Sequence, residues 1–130
     1  MERTRVSSGS PYEQQIGFSR ALRAGNRVLV AGTAPVWPEG HVDPDVGAQA
    51  RRCLAIVAKA LGEAGASLAD VVRTRVYLVD ATDGDEVAAV HGELFGDVRP
   101  ASTFVVVAGF LDPRWRLEIE AEAVVSDGDR

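Results

Sequence analysis

Apolar residues recur along this chain with two different periods, and the places where the period changes mark out its elements. From Gly17 to Ala24 and from Arg27 to Thr33 the pattern is that of strands. Val28 and Val30 alternate with Leu29 and Ala31, and Gly25-Asn26 between the two runs is a hairpin turn signal. A loop rich in proline and glycine, Pro35 to Pro44, follows. Asp45 then stands as an N-cap before Ala50, Cys53, Leu54, Val57, Leu61 and Ala64, whose helical spacing predicts a long amphipathic helix ending at Gly65. Asp70 precedes a strand over Val71–Val79, in which Val72, Val76 and Leu78 face one way and Arg73, Arg75 and Tyr77 the other. Asp83 and Glu86 have capping-box spacing, and Val87, Val90 and Leu94 carry a second helix to Gly96. Thr103–Ala108 and Arg116–Val125 are the last strands. In the final one Leu117, Ile119, Ala121 and Ala123 alternate with Glu118, Glu120 and Glu122.

Strands joined by helices long enough to cross over imply an α+β domain of two layers, a mixed sheet with two helices on one face. The other face carries Arg73, Arg75, Tyr77 and small apolar residues, too few for a second layer of this chain but suited to a subunit contact. A closed homo-oligomer is therefore expected.

Bulk properties narrow the choice further. A length of 130 residues fits one domain, 1–130, and its 46% hydrophobic and 25% charged residues are those of a soluble globular protein. The net charge of -5 and the absence of a Lys/Arg block exclude nucleic acid as a default partner. No run approaches membrane-spanning length, the N-terminus leads into Ser, Gly and Pro rather than an apolar segment, and Cys53 alone excludes an intramolecular disulfide. Cytoplasm is the expected location, with Cys53 as a core residue. Two isolated histidines, His41 and His91, lack metal-ligand spacing, so no metal is expected. No phosphate loop or Ser/His/Asp constellation appears, and no cofactor is called for.

Several segments, taken in order, resemble one family. Ser10-Pro11-Tyr12-Glu13 is similar to a Gly-Pro-Tyr-Ser segment and Val30-Ala31-Gly32-Thr33 to Val-Ser-Gly-Gln. Gln49 and Leu54 stand where a Gln and a Leu open the first helix of that family; Ala64 to Val72 is similar to Ala-Gly-x-Ser-Leu-x-Asp-Val-Val and Leu117 to Ala121 to Val-Glu-Ile-Glu-Ala. The set resembles the RidA/YjgF/YER057c/UK114 (Rid) family of small trimeric proteins. The resemblance implies a chorismate-mutase-like fold, a homotrimer, and ligand clefts between subunits. In deaminating members an arginine of Pro-Ala-Arg-Ser/Thr grips a substrate carboxylate, and the second glutamate of Glu-Ile-Glu positions the water that attacks a C=N carbon. Here Pro100-Ala101-Ser102-Thr103 puts Ser102 at the arginine and Ala88 at a helix asparagine, while Glu120 matches the glutamate. A serine donates one neutral hydrogen bond where a guanidinium offers a charged fork.

The resemblance therefore nominates Glu120 as the catalytic residue, with Tyr12, Gly32, Ser102, Thr103, His91 and Trp115 around the substrate. Each nominee also has a structural reading. Glu120 is one of three glutamates on a strand face able to pair with Arg73 and Arg75. His91 sits beside the apolar stripe of its helix, as a boundary histidine does, and His41 lies in a loop. Tyr12, Trp37 and Trp115 either wall a pocket or pack. Arg114 and Arg116, flanking Trp115, are candidates to replace the lost positive charge. Three functions stay open: deamination of an imine, enamine or related reactive metabolite; ligand binding by a trimer without turnover; and ribonuclease action, against which the acidic charge argues.

Overall fold

A computed structural model describes residues 2–126. Its strands are β1 (Arg3–Val6), β2 (Ala21–Ala24), β3 (Arg27–Thr33), β4 (Val71–Leu78), β5 (Ala101–Val106) and β6 (Leu117–Val124). Its helices are α1 (Pro11–Ile16), α2 (Val46–Glu63) and α3 (Gly84–Phe95). The strands form one mixed sheet in the order β1-β2-β3-β6-β4-β5, antiparallel except for β4 beside β5. That single parallel pair is joined through α3, as a parallel connection requires. The α+β class and the mixed sheet are those predicted.

Alternation on β6 builds the core. Leu117, Ile119, Ala121 and Ala123 are buried together with Val28 and Val30 of β3 and Val76 and Leu78 of β4. Ala50, Cys53, Leu54, Val57 and Leu61 of α2 and Val87, Val90 and Phe95 of α3 complete the same buried cluster. Each fully buried Leu, Ile, Val or Phe contributes about 1.5–3 kcal/mol relative to exposure, so the helices are held to the sheet by this one stripe. Burial also pushes the Cys53 thiol up, keeping it protonated and inert. Gln49 is buried at the end of this layer. Its amide donates to the carbonyls of Asp43 (2.8 Å) and Arg114 (3.0 Å) and accepts from the Arg116 N–H (2.8 Å), which fixes the loop leading into β6.

The structure corrects several expected boundaries. Gly17–Ala24 is not one strand: Ser10 caps α1, Pro11 starts it, and Gly17 ends it in the left-handed region at φ 89°, leaving only Ala21–Ala24 extended. There are therefore three α-helices rather than two, and β1 is an additional strand. Val72 is 46% exposed instead of core, because the register of β4 on β6 shifts between Val71 and Arg73. Leu94 is exposed and Phe95 buried in its place. Asp83 makes no capping bond; its carboxylate takes Arg116 Nη2 at 2.6 Å and Nε at 3.1 Å, while Glu86 accepts from Gly47 N–H of α2. Strand β5 begins two residues earlier than expected, at Ala101, and ends at Val106 rather than Ala108.

Candidate functional site

The face of the sheet away from the helices presents an acidic row, Glu118, Glu120 and Glu122, because their odd-numbered neighbours on β6 point into the core. On β4, Tyr77 lies opposite Glu118, Arg75 opposite Glu120 and Arg73 opposite Glu122. The three carboxylates end up in different states. The Tyr77 hydroxyl donates to Glu120, which is also 3.9 Å from Arg75 Nη1. Glu122 stands 3.3 Å from Arg27 and 3.8 Å from Arg75. Glu118 has no hydrogen-bond or ion-pair partner among the described residues. Its half-buried position raises its carboxyl above the ordinary 4.5, with Arg20 opposing the shift from a distance. Donation to Glu120 raises the Tyr77 hydroxyl in turn, burial adding to the effect.

A break in the β3–β6 register creates the setting of Glu118. Val30 pairs with Ala121 and Thr33 with Ile119, so Ala31 and Gly32 together oppose the single residue Glu120. This bulge brings the backbone at Gly32 against Glu118. A Cβ at Gly32 would lie 2.9 Å from Glu118 Oε1, so the missing side chain leaves room for the carboxylate. Arg20 reaches the same glycine. Its backbone is held between Val6 and Ala31, its Nη2 donates to the Gly32 carbonyl at 2.6 Å, and the Phe18 ring lies 5.5 Å from its guanidinium carbon. Burial pulls the guanidinium below its ordinary pKa while Glu13 and Glu118 push it back up, so Arg20 stays charged at neutral pH. Glu118 and Arg20 stand at this face although sequence reasoning did not nominate them.

The nominated residues fall into three places in one chain. Glu120 and Gly32 belong to the face just described, and Thr103, opposite Arg75 on β5, shares it across β4. Ser102 turns the other way. Its hydroxyl accepts from the buried Thr74 Oγ1 at 2.7 Å, and Thr74 Oγ1 is 2.9 Å from His91 Nε2. Burial holds His91 below its ordinary pKa, and its ring packs on Phe95 and Phe104 at centroid distances of 4.7 and 6.0 Å. Tyr12 and Trp115 meet at a third place, an open depression of about 370 Å³ that also involves Leu111, Asp112, Pro113 and Arg114. The cations proposed to flank Trp115 are engaged: Arg114 pairs with Asp112 at 2.7 Å and Arg116 with Asp83 at 2.6 Å. Trp37 stacks on His41 in their own loop, 5.4 Å apart. No helix among the described residues is long and apolar enough to cross a membrane.

Residues 10–125 match the family model described as Endoribonuclease L-PSP. Over 122 residues the chain is 43% identical to an uncharacterised protein of Streptomyces coelicolor, covering 92% of this chain and 90% of that one. It is 36% identical over 118 residues to the 2-iminobutanoate/2-iminopropanoate deaminase of Escherichia coli, covering 88% and 87% of the two chains. The crystal structure of Rv2704 from Mycobacterium tuberculosis, a member of the YjgF/YER057c/UK114 family, matches with a TM-score of 0.88 at 46% identity and covers 95% of this chain and 100% of that one. With nearly its whole length matched in sequence and in fold, this chain belongs to the Rid family, the YjgF/YER057c/UK114 proteins whose family model is that of Endoribonuclease L-PSP.

Proposed function

We propose that the protein is a hydrolytic deaminase of a small imine, enamine or related reactive metabolite, with Glu118 as the carboxylate that positions the attacking water and takes its proton. One observation carries the reading. Glu118 is half-buried, raised in pKa, unpaired among the described residues, and set against the backbone of Gly32. A carboxylate in that state has lone pairs and basicity to offer a water molecule. Glu120, the residue nominated by resemblance, already accepts from Tyr77 and lies beside Arg75, so it serves the face as a support.

The chemistry needs only water as co-reactant. The water oxygen bonds to the C=N carbon as Glu118 takes one proton, which it passes to the nitrogen to give a carbinolamine. Glu118 then takes the hydroxyl proton and delivers it to the amine as the C–N bond breaks, so that ammonia leaves, a carbonyl compound remains and the carboxylate is regenerated. The 36% identity to an enzyme named a 2-iminobutanoate/2-iminopropanoate deaminase supports the reaction class. Ser102, bonded to Thr74, argues for a specificity that differs from that of members with an arginine there.

The three places that hold the nominated residues become one site if copies of the chain pack as a closed homotrimer. Strand β5 is the contact this reading requires. All six of its residues are exposed, Phe104, Val105 and Val106 among them, and an apolar edge strand is a surface that soluble proteins cover. In such a cleft Tyr12, Trp115, Thr103 and the Ser102–Thr74–His91 chain of one copy would border Glu118 and Gly32 of another, each copy being a single domain. Light scattering should give three chains per particle at micromolar concentration; a monomer would break this part of the reading.

The test of the reaction is ammonia release from freshly generated imines and enamines, with and without carboxylates, by the wild-type protein and by Glu118→Gln. Turnover lost in the variant supports the assignment. A ligand-binding trimer without turnover is the second reading, favoured by the neutral hydroxyl at position 102, and binding of panel compounds with no ammonia release would select it. Ribonuclease action ranks last, since the acidic row repels a phosphate backbone.

A further inference from the structure

We propose that Arg20 is a positioning residue for Glu118. From the segment that leads into β2 it bonds to both residues of the β3 bulge, and so holds Gly32, with its missing side chain, against the carboxylate. The proposal rests on the reading of Glu118 as the base that positions water, and adds to it the residue that keeps this base in place.

A bulge disrupts the ladder and leaves its extra residue without a regular cross-strand partner, so its geometry has to be held by something other than strand pairing. Arg20 does this with its backbone and with its side chain. Its carbonyl accepts the Ala31 N–H at 3.0 Å, and its Nη2 donates to the Gly32 carbonyl at 2.6 Å. Ala31 and Gly32 are the residues that together oppose Glu120 in the β3–β6 register. Arg20 is fixed in turn. Its N–H donates to the carbonyl of Val6 on β1 at 2.9 Å, its guanidinium carbon lies 5.5 Å from the centre of the Phe18 ring, and its Nε is buried. Gly32 carries this order to the carboxylate. A Cβ on it would stand 2.9 Å from Glu118 Oε1, so where its backbone lies decides the space open to Glu118.

The charge of Arg20 has a second effect on the same base. Burial raises the Glu118 carboxyl and Arg20 opposes the rise; burial lowers the Arg20 guanidinium, and Glu13 and Glu118 oppose that fall. Glu118 therefore stays ionised to lower pH than burial by itself would allow. An arginine suits the task because its guanidinium is a rigid fork that keeps its charge when partly buried. Nearby cations are engaged elsewhere: Arg23 donates to the carbonyls of Gly25 and Ala64, and Arg75 lies between Glu120 and Glu122.

The experiment follows the Glu118 carboxyl across pH by NMR of isotope-labelled glutamate side chains in the full chain, its signal identified by its absence from Glu118→Gln, alongside steady-state ammonia release. In Arg20→Gln the carboxyl should titrate at higher pH than in the wild type, because the cation that favours its charged form has gone. The acid limb of kcat should move the same way. On the plateau above that limb kcat should fall about ten- to a hundredfold with KM within a few fold, the mark of a base held out of line rather than of weaker binding. Arg20→Lys, which keeps the charge but not the fork, should titrate between the two and recover part of kcat, whereas Arg23→Gln should match the wild type in both readouts. Loss of packing alone would lower the urea midpoint and leave the Glu118 titration where it is. A folded Arg20→Gln with wild-type titration and kcat overturns the proposal; should that variant not fold, Arg20→Lys with wild-type values does so. A titration that moves in Arg20→Gln while no form releases ammonia refutes the deaminase reading and leaves the positioning role standing. Ammonia release by the wild type that Arg20→Gln leaves unaltered does the reverse.

Discussion

Glu118 and Glu120 sit two positions apart on one strand, on one face, and differ in everything that governs their chemistry. Glu120 receives the Tyr77 hydroxyl and lies near Arg75. Glu118 faces a glycine, is half-buried, and holds its proton more tightly than an ordinary glutamate. The comparison teaches that alternation along a strand selects a face but not a function. Function is decided by which groups of the adjacent strands reach each carboxylate: the Tyr77 hydroxyl and Arg75 come to Glu120, while Glu118 meets the missing side chain of Gly32.

The sharpest way to break the comparison is to neutralise each carboxylate in turn. Glu118→Gln should lower ammonia release by about 10²–10⁴-fold, the range for loss of a general base, and Glu120→Gln by less than about tenfold. Equal losses in steady-state assays would mean that the row acts as a unit. Gly32→Ala comes next. Its methyl would press on Glu118 Oε1 from 2.9 Å, and moving the flexible end of the carboxylate should cost about ten- to a hundredfold in kcat/KM. The urea midpoint should not change, since only a side-chain terminus has to shift. Tyr77→Phe should have the smallest effect. It removes the donor to Glu120, destabilises the fold by about 1 kcal/mol in urea unfolding, and leaves kcat/KM within a few fold. A large loss of turnover in that variant would transfer the catalytic role to Glu120.

Much of the fold was legible because burial imposes a period. The stripe of α2 and the alternation of β6 both appear in the core where the pattern puts them. Misplaced elements had signals of a different kind. Ser10-Pro11 and Gly17 are start and stop signals for a short helix too brief to show periodicity, and the expected strand began on Gly17 itself. Val72 was assigned inward by simple alternation, which a register shift at Val71–Arg73 defeats. The same limit applies at the site. Glu118 and Glu120 are indistinguishable by pattern, because the bulge at Ala31–Gly32 and the reach of Tyr77 across to Glu120 exist only in three dimensions. Ser102 reads as a surface substitute for an arginine, yet its hydroxyl is bonded to the buried Thr74, which contacts a half-buried histidine.

The central claim, that the unpaired carboxylate is the one that works, is tested most directly by the pH dependence of kcat/KM in the wild type and in Glu120→Gln. Glu118 must be ionised to take a proton from water, so turnover should fall as pH drops through its folded-state pKa, which burial sets above 4.5. The stability linkage has the opposite sense. A carboxyl with a raised folded pKa contributes stability below 4.5 and loses it as pH rises through the folded value, so the residue works in the state that the fold disfavours. The account predicts an acid limb with its midpoint above 4.5, present in both proteins at the same position. A limb at or below 4.5, or one that disappears in Glu120→Gln, would contradict it.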